Sequence, residues 1–221
     1  MIRFANVRKV YPQGAREIAA LDGLTLDVGK GEFLAVMGPS GSGKSTFLHL
    51  SGGLDLPTSG DVLIDGAPTS RMSDTELTLL RRRKLGFVFQ FFNLIPTLRV
   101  IENVSLPLLL DGKRPGEVRA KAEALLDRVG LGPRREHFPD ELSGGEMQRT
   151  AIARALIIDP AIVLADEPTG NLDSATGRGI LELLQEVSSK EGRTIVMVTH
   201  DEAAARWAKR TVRLRDGKLD A

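Results

Sequence analysis

Apolar and polar residues alternate at Ile2, Phe4 and Val7 and again at Leu24, Leu26 and Val28. This is the period-two pattern of half-buried strands, and glycine or proline bounds each stretch. Together they predict an antiparallel layer. Phe33 to Met37 is instead unbroken apolar, which suits a strand buried on both faces. It feeds a glycine-rich loop and then a helix from about Lys44. Asp61 to Asp65 and Leu85 to Gln90 read as further strands, the first ending in an Asp65-Gly66 turn.

From Phe91 to about Leu142 the texture changes to proline-punctuated loops and one clear helix, with Pro115 early, Val118, Ala122, Leu125, Leu126 and Val129 on one face, and Gly130 after it. This predicts a helical insertion. The strand–helix texture then returns: a helix after Ser143, a buried strand Ile162 to Ala165, a helix through Ile180 to Val187, a strand Thr194 to Thr199, a short helix containing Trp207, and a hairpin Val212 to Leu219 turned by Asp216-Gly217. Strands alternating with helices imply an α/β fold with a mostly parallel, helix-covered sheet. The 221 residues suit one domain, with its core expected from 1–90 and 143–221 and the helical part from about 91–142.

Composition narrows the function. At 42% hydrophobic and 27% charged residues the chain has the make-up of an ordinary soluble globular protein. Thirty basic against 29 acidic residues leave a net charge of +1, so no global field draws nucleic acid or an anionic membrane. The lack of cysteine excludes disulfides, thiolate chemistry and iron–sulfur clusters, and fits a reducing cytosol. No run approaches the roughly 18 to 20 apolar residues of a membrane span; the best, Val104 to Leu110, is broken by Pro107. The N-terminus lacks the layout of a signal peptide, and a cytoplasmic location is expected.

Gly38-Pro39-Ser40-Gly41-Ser42-Gly43-Lys44-Ser45 fits G-x-x-x-x-G-K-[ST] at every fixed position, between a buried strand and a helix as that motif requires. Glycines let backbone N–H groups converge on phosphate oxygens without Cβ atoms in the way, and the helix N-terminus adds partial positive charge. Lys44 is expected to reach the β- and γ-phosphates and the Ser45 hydroxyl to ligate Mg²⁺; Thr46 completes the expected nucleotide contacts. A second acidic element, Ile162-Val163-Leu164-Ala165-Asp166-Glu167, ends an apolar strand in two carboxyl groups. Asp166 is assigned to Mg²⁺ and Glu167 to general-base work on the attacking water.

Leu142-Ser143-Gly144-Gly145-Glu146 is an S-x-x-E capping box opening a helix whose first turn carries two glycines, a second candidate anion site. With Gln148-Arg149 and Ala153-Arg154-Ala155-Leu156 behind it, the segment resembles the signature motif and following helix of ATP-binding cassette (ABC) ATPases; Met147 stands where a long polar residue is also common. The resemblance extends over essentially the whole chain and implies a P-loop core, an inserted helical subdomain, and ATP and Mg²⁺ as ligands. By it, Tyr11 matches the residue stacking on adenine, and Gln90 the glutamine that touches Mg²⁺ and water and senses a transmembrane partner. Gly170-Asn171-Leu172-Asp173 resembles the D-loop at the dimer interface, and His200 the switch histidine on the γ-phosphate. Glu167, His200 and Gln90 are thus the expected catalytic residues. His49 and His137 match no motif.

The family implies two copies head to tail, each ATP lying between the P-loop of one and the Ser143-Gly144-Gly145-Glu146 turn of the other. Tyr11 to Leu21, Gly86 to Leu98, Glu102-Asn103-Val104 and Ala165 to Asp173 resemble the branch of lipoprotein-releasing, macrolide-exporting and cell-division ATPases. That branch implies a separate transmembrane permease, a peripheral place on the inner face of the membrane, and no nucleic-acid partner. With so little sequence after the last hairpin, the chain resembles stand-alone cassettes, and no C-terminal regulatory domain is expected. Phe91, Phe92, Leu94 and Ile95 are the expected permease contacts, and Arg81 to Lys84 the solvated end of a helix. Gating of periplasmic enzymes without transport stays open as an alternative, and action on nucleic acid is a more distant one.

Overall fold

The computed structural model describes residues 1–14 and 16–220. Ala15, inside the Tyr11 to Leu21 stretch, and Ala221 lie outside the described residues. Strands β1 (Ile2–Gln13) and β2 (Arg16–Val28) pair antiparallel, Ile2 opposite Val28 and Tyr11 opposite Ile18. Then come β3 (Phe33–Met37), α1 (Lys44–Ser51), β4 (Ser59–Ile64), β5 (Ala67–Pro68), α2 (Asp74–Lys84) and β6 (Leu85–Val88). Helices α3 (Val100–Leu110), α4 (Pro115–Arg128) and α5 (Gly144–Leu156) precede β7 (Ile162–Asp166), α6 (Ser174–Glu191), β8 (Thr194–Thr199), α7 (Glu202–Ala205), β9 (Arg210–Arg215) and β10 (Lys218–Leu219).

One sheet runs β2-β1-β4-β5 and is antiparallel throughout; the other runs β10-β9-β3-β8-β7-β6 and is parallel except at β10. The unbroken apolar strands at its centre follow from the two cores they separate. Ala35, Met37, Val163, Ala165, Ile195 and Met197 face one core with residues of α3 to α6. Their neighbours Leu34, Val36, Ile162, Leu164, Val196 and Val198 face the other, with α1 and the antiparallel layer. With successive side chains on opposite faces, both must be apolar. Phe4 of β1 stacks on Phe47 of α1 at 4.5 Å and so joins the antiparallel sheet to the helix that follows the glycine-rich loop.

Several local expectations need correction. The strand from Leu85 ends at Val88, so Gln90 lies in the loop beyond it. Helix α7 stops at Ala205; Trp207 follows it in a turn, its N–H donating to the Ala204 carbonyl at 3.2 Å. Between 91 and 142 there are two α-helices, not one, because α3 continues through Pro107. Ahead of α3 the fully buried Asn103 ties the loop, its Oδ1 accepting from Ile95 N–H and its Nδ2 donating to the carbonyls of Ile95, Leu98 and Arg99. Nor is Arg81 to Lys84 simply solvated: Arg81 donates to the Gly53 carbonyl, Arg83 pairs with the largely buried Asp111 at 3.1 Å, and Lys84 with Asp65 at 3.0 Å. Among the described residues no helix is long and apolar enough to cross a membrane.

Candidate active site

The glycine-rich loop leaves the C-terminal end of β3, where open α/β sheets place ligands, and Gly43 caps α1. Its φ of 103° is left-handed, and a Cβ there would meet the Ala20 carbonyl oxygen at 2.3 Å; only glycine fits. Gly41, at φ 79°, faces open space instead. No side chain caps α1, so the partial positive charge of the helix start meets the cleft unscreened by a cap. Lys44 is largely buried, its Nζ donating to the carbonyls of Gly38 at 2.7 Å and Pro39 at 2.9 Å. The adjoining cleft, about 660 Å³, is lined by Pro39, Ser40, Gly41 and the residues from Gly43 to Thr46, with Glu167 and His200 across from them. That volume is within the ~300–1,000 Å³ of small-molecule sites.

Sequence reasoning missed the scaffold of this loop. Ala20 of β2 lines the cleft. The Gly217 N–H in the C-terminal hairpin turn donates to the Ser42 carbonyl at 3.1 Å, and Gly217 in turn accepts from Asp22 N–H at 3.0 Å. A Cβ on Gly38 would strike the Leu214 carbonyl at 2.3 Å. The hairpin's Asp216-Gly217 turn was legible; its place beneath the loop was not, because that contact spans most of the chain.

Asp166 ends β7, and burial first, then the charge of Glu167, holds its carboxyl above the ordinary range, opposed by His49 and Lys44. Glu167 follows in left-handed backbone at φ 41°. A non-glycine residue there stores about 1–3 kcal/mol of strain and needs surrounding structure to hold it: its N–H donates to Val198 and its carbonyl accepts from Gly170, both at 3.0 Å. From this backbone the carboxylate reaches His200, whose Nδ1 lies 3.0 Å from Oε1. Gly170 packs between Gln90 and Glu167. A Cβ there would come 3.0 Å from Gln90 Nε2 and 3.4 Å from Glu167 Oε2, and Asn171 Nδ2 donates to the Gln90 carbonyl at 2.9 Å.

Not every expected residue joins the cleft. Ser143, Gly144, Gly145 and Glu146 line no part of it, and neither do Tyr11, Gly38, Ser42, Gln90, Asp166 or Asp173. Tyr11 donates its hydroxyl to Asp55 Oδ2 at 2.8 Å under the Lys9 ammonium; burial and that carboxylate raise its pKa. Asp173 caps α6 through the N–H groups of Ala175 and Thr176 at 3.0 Å. Ser143 caps α5 in a full capping box. Gly145 has a packing reason besides the one expected: a Cβ would lie 2.4 Å from Thr176 Cγ2, so the glycine lets α5 meet the start of α6.

A family model described as ABC transporter matches residues 21–170. The chain belongs to the ABC transporter family. Solved structures agree over the full length. The ATP-binding cassette MJ0796, seen as a dimer in a post-hydrolysis state with ADP and Pi, is 47% identical over 100% of this chain and 97% of its own, with a TM-score of 0.93. A second dimeric structure of MJ0796, described as a bacterial ABC transporter cassette, is 48% identical over the same shares, also with a TM-score of 0.93. This ABC cassette has the α/β fold of those relatives and is an ATPase.

Proposed function

We propose that this cassette works as one half of a homodimer that clamps two ATP molecules and drives a separate transmembrane permease. One observation carries the reading. The cleft holds Lys44, Glu167 and His200, while the second glycine-bearing helix start, at Ser143, lines no part of it. A second copy turned head to tail supplies that missing wall, in keeping with the dimeric relatives.

In this reading residues 38–46 wrap the triphosphate, and Lys44 exchanges its two loop carbonyls for phosphate oxygens. Glu167 accepts the proton of the attacking water. His200, held on its carboxylate, orients it and contacts the γ-phosphate. Tyr11 stacks on adenine, Ser143 and the glycines after it bind the partner's phosphate, and Asp173 fixes the D-loop at the interface. The donors near the cleft fit Mg²⁺: the Ser45 hydroxyl, the Gln90 amide oxygen and Asp166 are hard oxygen ligands, too few for an all-protein cage, which suits an ion that keeps waters and phosphate oxygens. Held by Ser45, Gln90 and Asp166, the ion would supply positive charge to offset the charge of the phosphates.

The permease face is the groove of Phe87, Phe89, Leu106 and Leu110 beside the loop after Gln90. Phe91, on that loop, is 71% exposed, but neither it nor Phe92, Leu94 or Ile95 lines the groove itself. Phe92 and Asn93 are left-handed, and Arg154 holds both of their carbonyls. Asn171 links this loop to the D-loop, so a change at Gln90 moves the apolar rim. The cassette then sits peripherally on the inner face of the membrane, in the branch of lipoprotein-releasing, macrolide-exporting and cell-division cassettes. The deciding experiment is Glu167→Gln. It keeps ATP binding, loses about 10²–10⁴ of turnover and accumulates an ATP-bound dimer in sedimentation; a variant that hydrolyses normally, or stays monomeric with ATP and its permease, overturns the reading.

A further inference from the structure

The Ser143 turn contains a contradiction that only the structure resolves. A turn meant to receive a phosphate carries a carboxylate. Glu146 Oε2 accepts from both the Ser143 N–H and the Ser143 hydroxyl at 2.8 Å, while Glu146 N–H donates back to Ser143 Oγ at 3.3 Å. The backbone N–H of Ser143, more than any other group, holds that carboxyl below the ordinary range; it is ionised at neutral pH. Its charge would repel a phosphate, and it occupies the hydroxyl hydrogen that a phosphate needs.

The other oxygen is not free. Arg134, from the turn Gly132–Arg134, donates Nε–H to Glu146 Oε1 at 2.9 Å. The guanidinium is steadied on its far side, where Nη1 lies 3.2 Å from His137 Nε2. With side-chain exposures of 45% and 26% the Arg134–Glu146 pair stands at the surface, where an ion pair contributes little to stability.

We infer that Arg134 is a positioning residue for the Ser143 turn: it neutralises Glu146 and draws the carboxylate toward its own side, so that Ser143 and the N–H groups after it can turn to the phosphate of a second copy. This rests on the homodimer reading above. Like charges brought together across an interface are strongly unfavourable, so the pair acts on closure rather than on folding.

The test is a double-mutant cycle in the full chain carrying Glu167→Gln, reading the ATP concentration at half-maximal dimerisation by sedimentation or light scattering. Arg134→Ala is expected to raise that concentration about tenfold. With Glu146→Gln also present, the same change at Arg134 shifts it by less than about twofold, because there is no charge left to neutralise. Arg134→Lys, which keeps the charge, stays within about threefold of the parent and serves if the alanine variant does not fold; melting of the ATP-free chain is expected to be unchanged across the set. An equal loss with and without Glu146→Gln would make Arg134 a direct phosphate ligand or a scaffold, and no loss in either background would make it a bystander; both overturn the inference. Failure of the parent to dimerise with ATP overturns instead the homodimer reading.

Discussion

In the proposed homodimer, two helix starts of this cassette are set the same chemical task with opposite equipment. Helix α1 begins at Gly43 with no side-chain cap, and its loop opens directly on the cleft. Helix α5 begins at Ser143 with its cap complete and its serine hydroxyl engaged by Glu146. The first has no side-chain cap to displace before an anion enters, and only Lys44 has to give up its two loop carbonyls. The second has to exchange an internal partner for an external one. A grip that exists in the isolated chain and a clamp that must be switched on are what a two-copy ATPase needs, because closure then depends on the second copy.

The sharpest way to break this contrast is to spoil the open start. Gly43→Ala forces a Cβ to within 2.3 Å of the Ala20 carbonyl at a φ of 103°. It is expected to destabilise the chain by about 1–3 kcal/mol and to abolish measurable binding of a fluorescent ATP analogue, since the loop can reseat only by turning its N–H groups away. Gly41→Ala, also left-handed but with open space where the Cβ would go, keeps binding and loses about 1–2 kcal/mol in a melt. Equal binding defects in the two would show that the loop tolerates no side chain at all, and the specific role of Ala20 would fall.

How far the two starts could be read from the chain differs for the same reason. Gly38 to Ser45 announces itself because its demands are local: consecutive glycines, one lysine, a strand before and a helix after. The parallel strands were equally plain, since a strand buried on both faces must be apolar throughout, as Phe33 to Met37 and Thr194 to Thr199 nearly are. What escaped depends on partners far along the chain. Gly217 under Ser42, Thr176 against Gly145 and Arg134 on Glu146 are contacts that no spacing encodes. Helix α3 escaped because Pro107 interrupts its pattern, and Trp207 was drawn into a helix that its neighbours end two residues earlier. The S-x-x-E string at Ser143 was legible, and its assignment to a ligand came from the family resemblance rather than from the string itself.

Ser143→Ala tests the clamp. It removes the acceptor for Glu146 N–H, costing about 1 kcal/mol of stability, and also the hydroxyl meant for the partner's phosphate. Turnover is expected to fall by roughly tenfold to a hundredfold, the range for losing a hydrogen bond to a charged group, with ATP binding to the monomer intact. A variant with normal turnover would leave Ser143 as a cap and nothing more.

The smallest effect belongs to the internal control. Ser73 and Glu76 open α2 with the same capping box at the same distances as Ser143 and Glu146: 2.8 Å from Ser73 N–H and from Ser73 Oγ to Glu76 Oε2, and 3.3 Å from Glu76 N–H to Ser73 Oγ. What α2 lacks is the rest of the equipment. Asp74 and Thr75 stand where α5 has its glycines, and, among the described residues, no arginine pairs with Glu76, whose carboxyl is held low by Ser73 alone. Ser73→Ala should therefore cost the same ~1 kcal/mol as the cap at Ser143, lowering the melting midpoint by about 2–4 °C in a chain of this size. Turnover and ATP-driven dimerisation should stay within error of the parent. Equal melting shifts at Ser73 and Ser143 with unequal turnover isolate the part of Ser143 that is not a cap; a turnover loss at Ser73 of similar size would mean that helix capping, and not phosphate contact, limits the ATPase cycle.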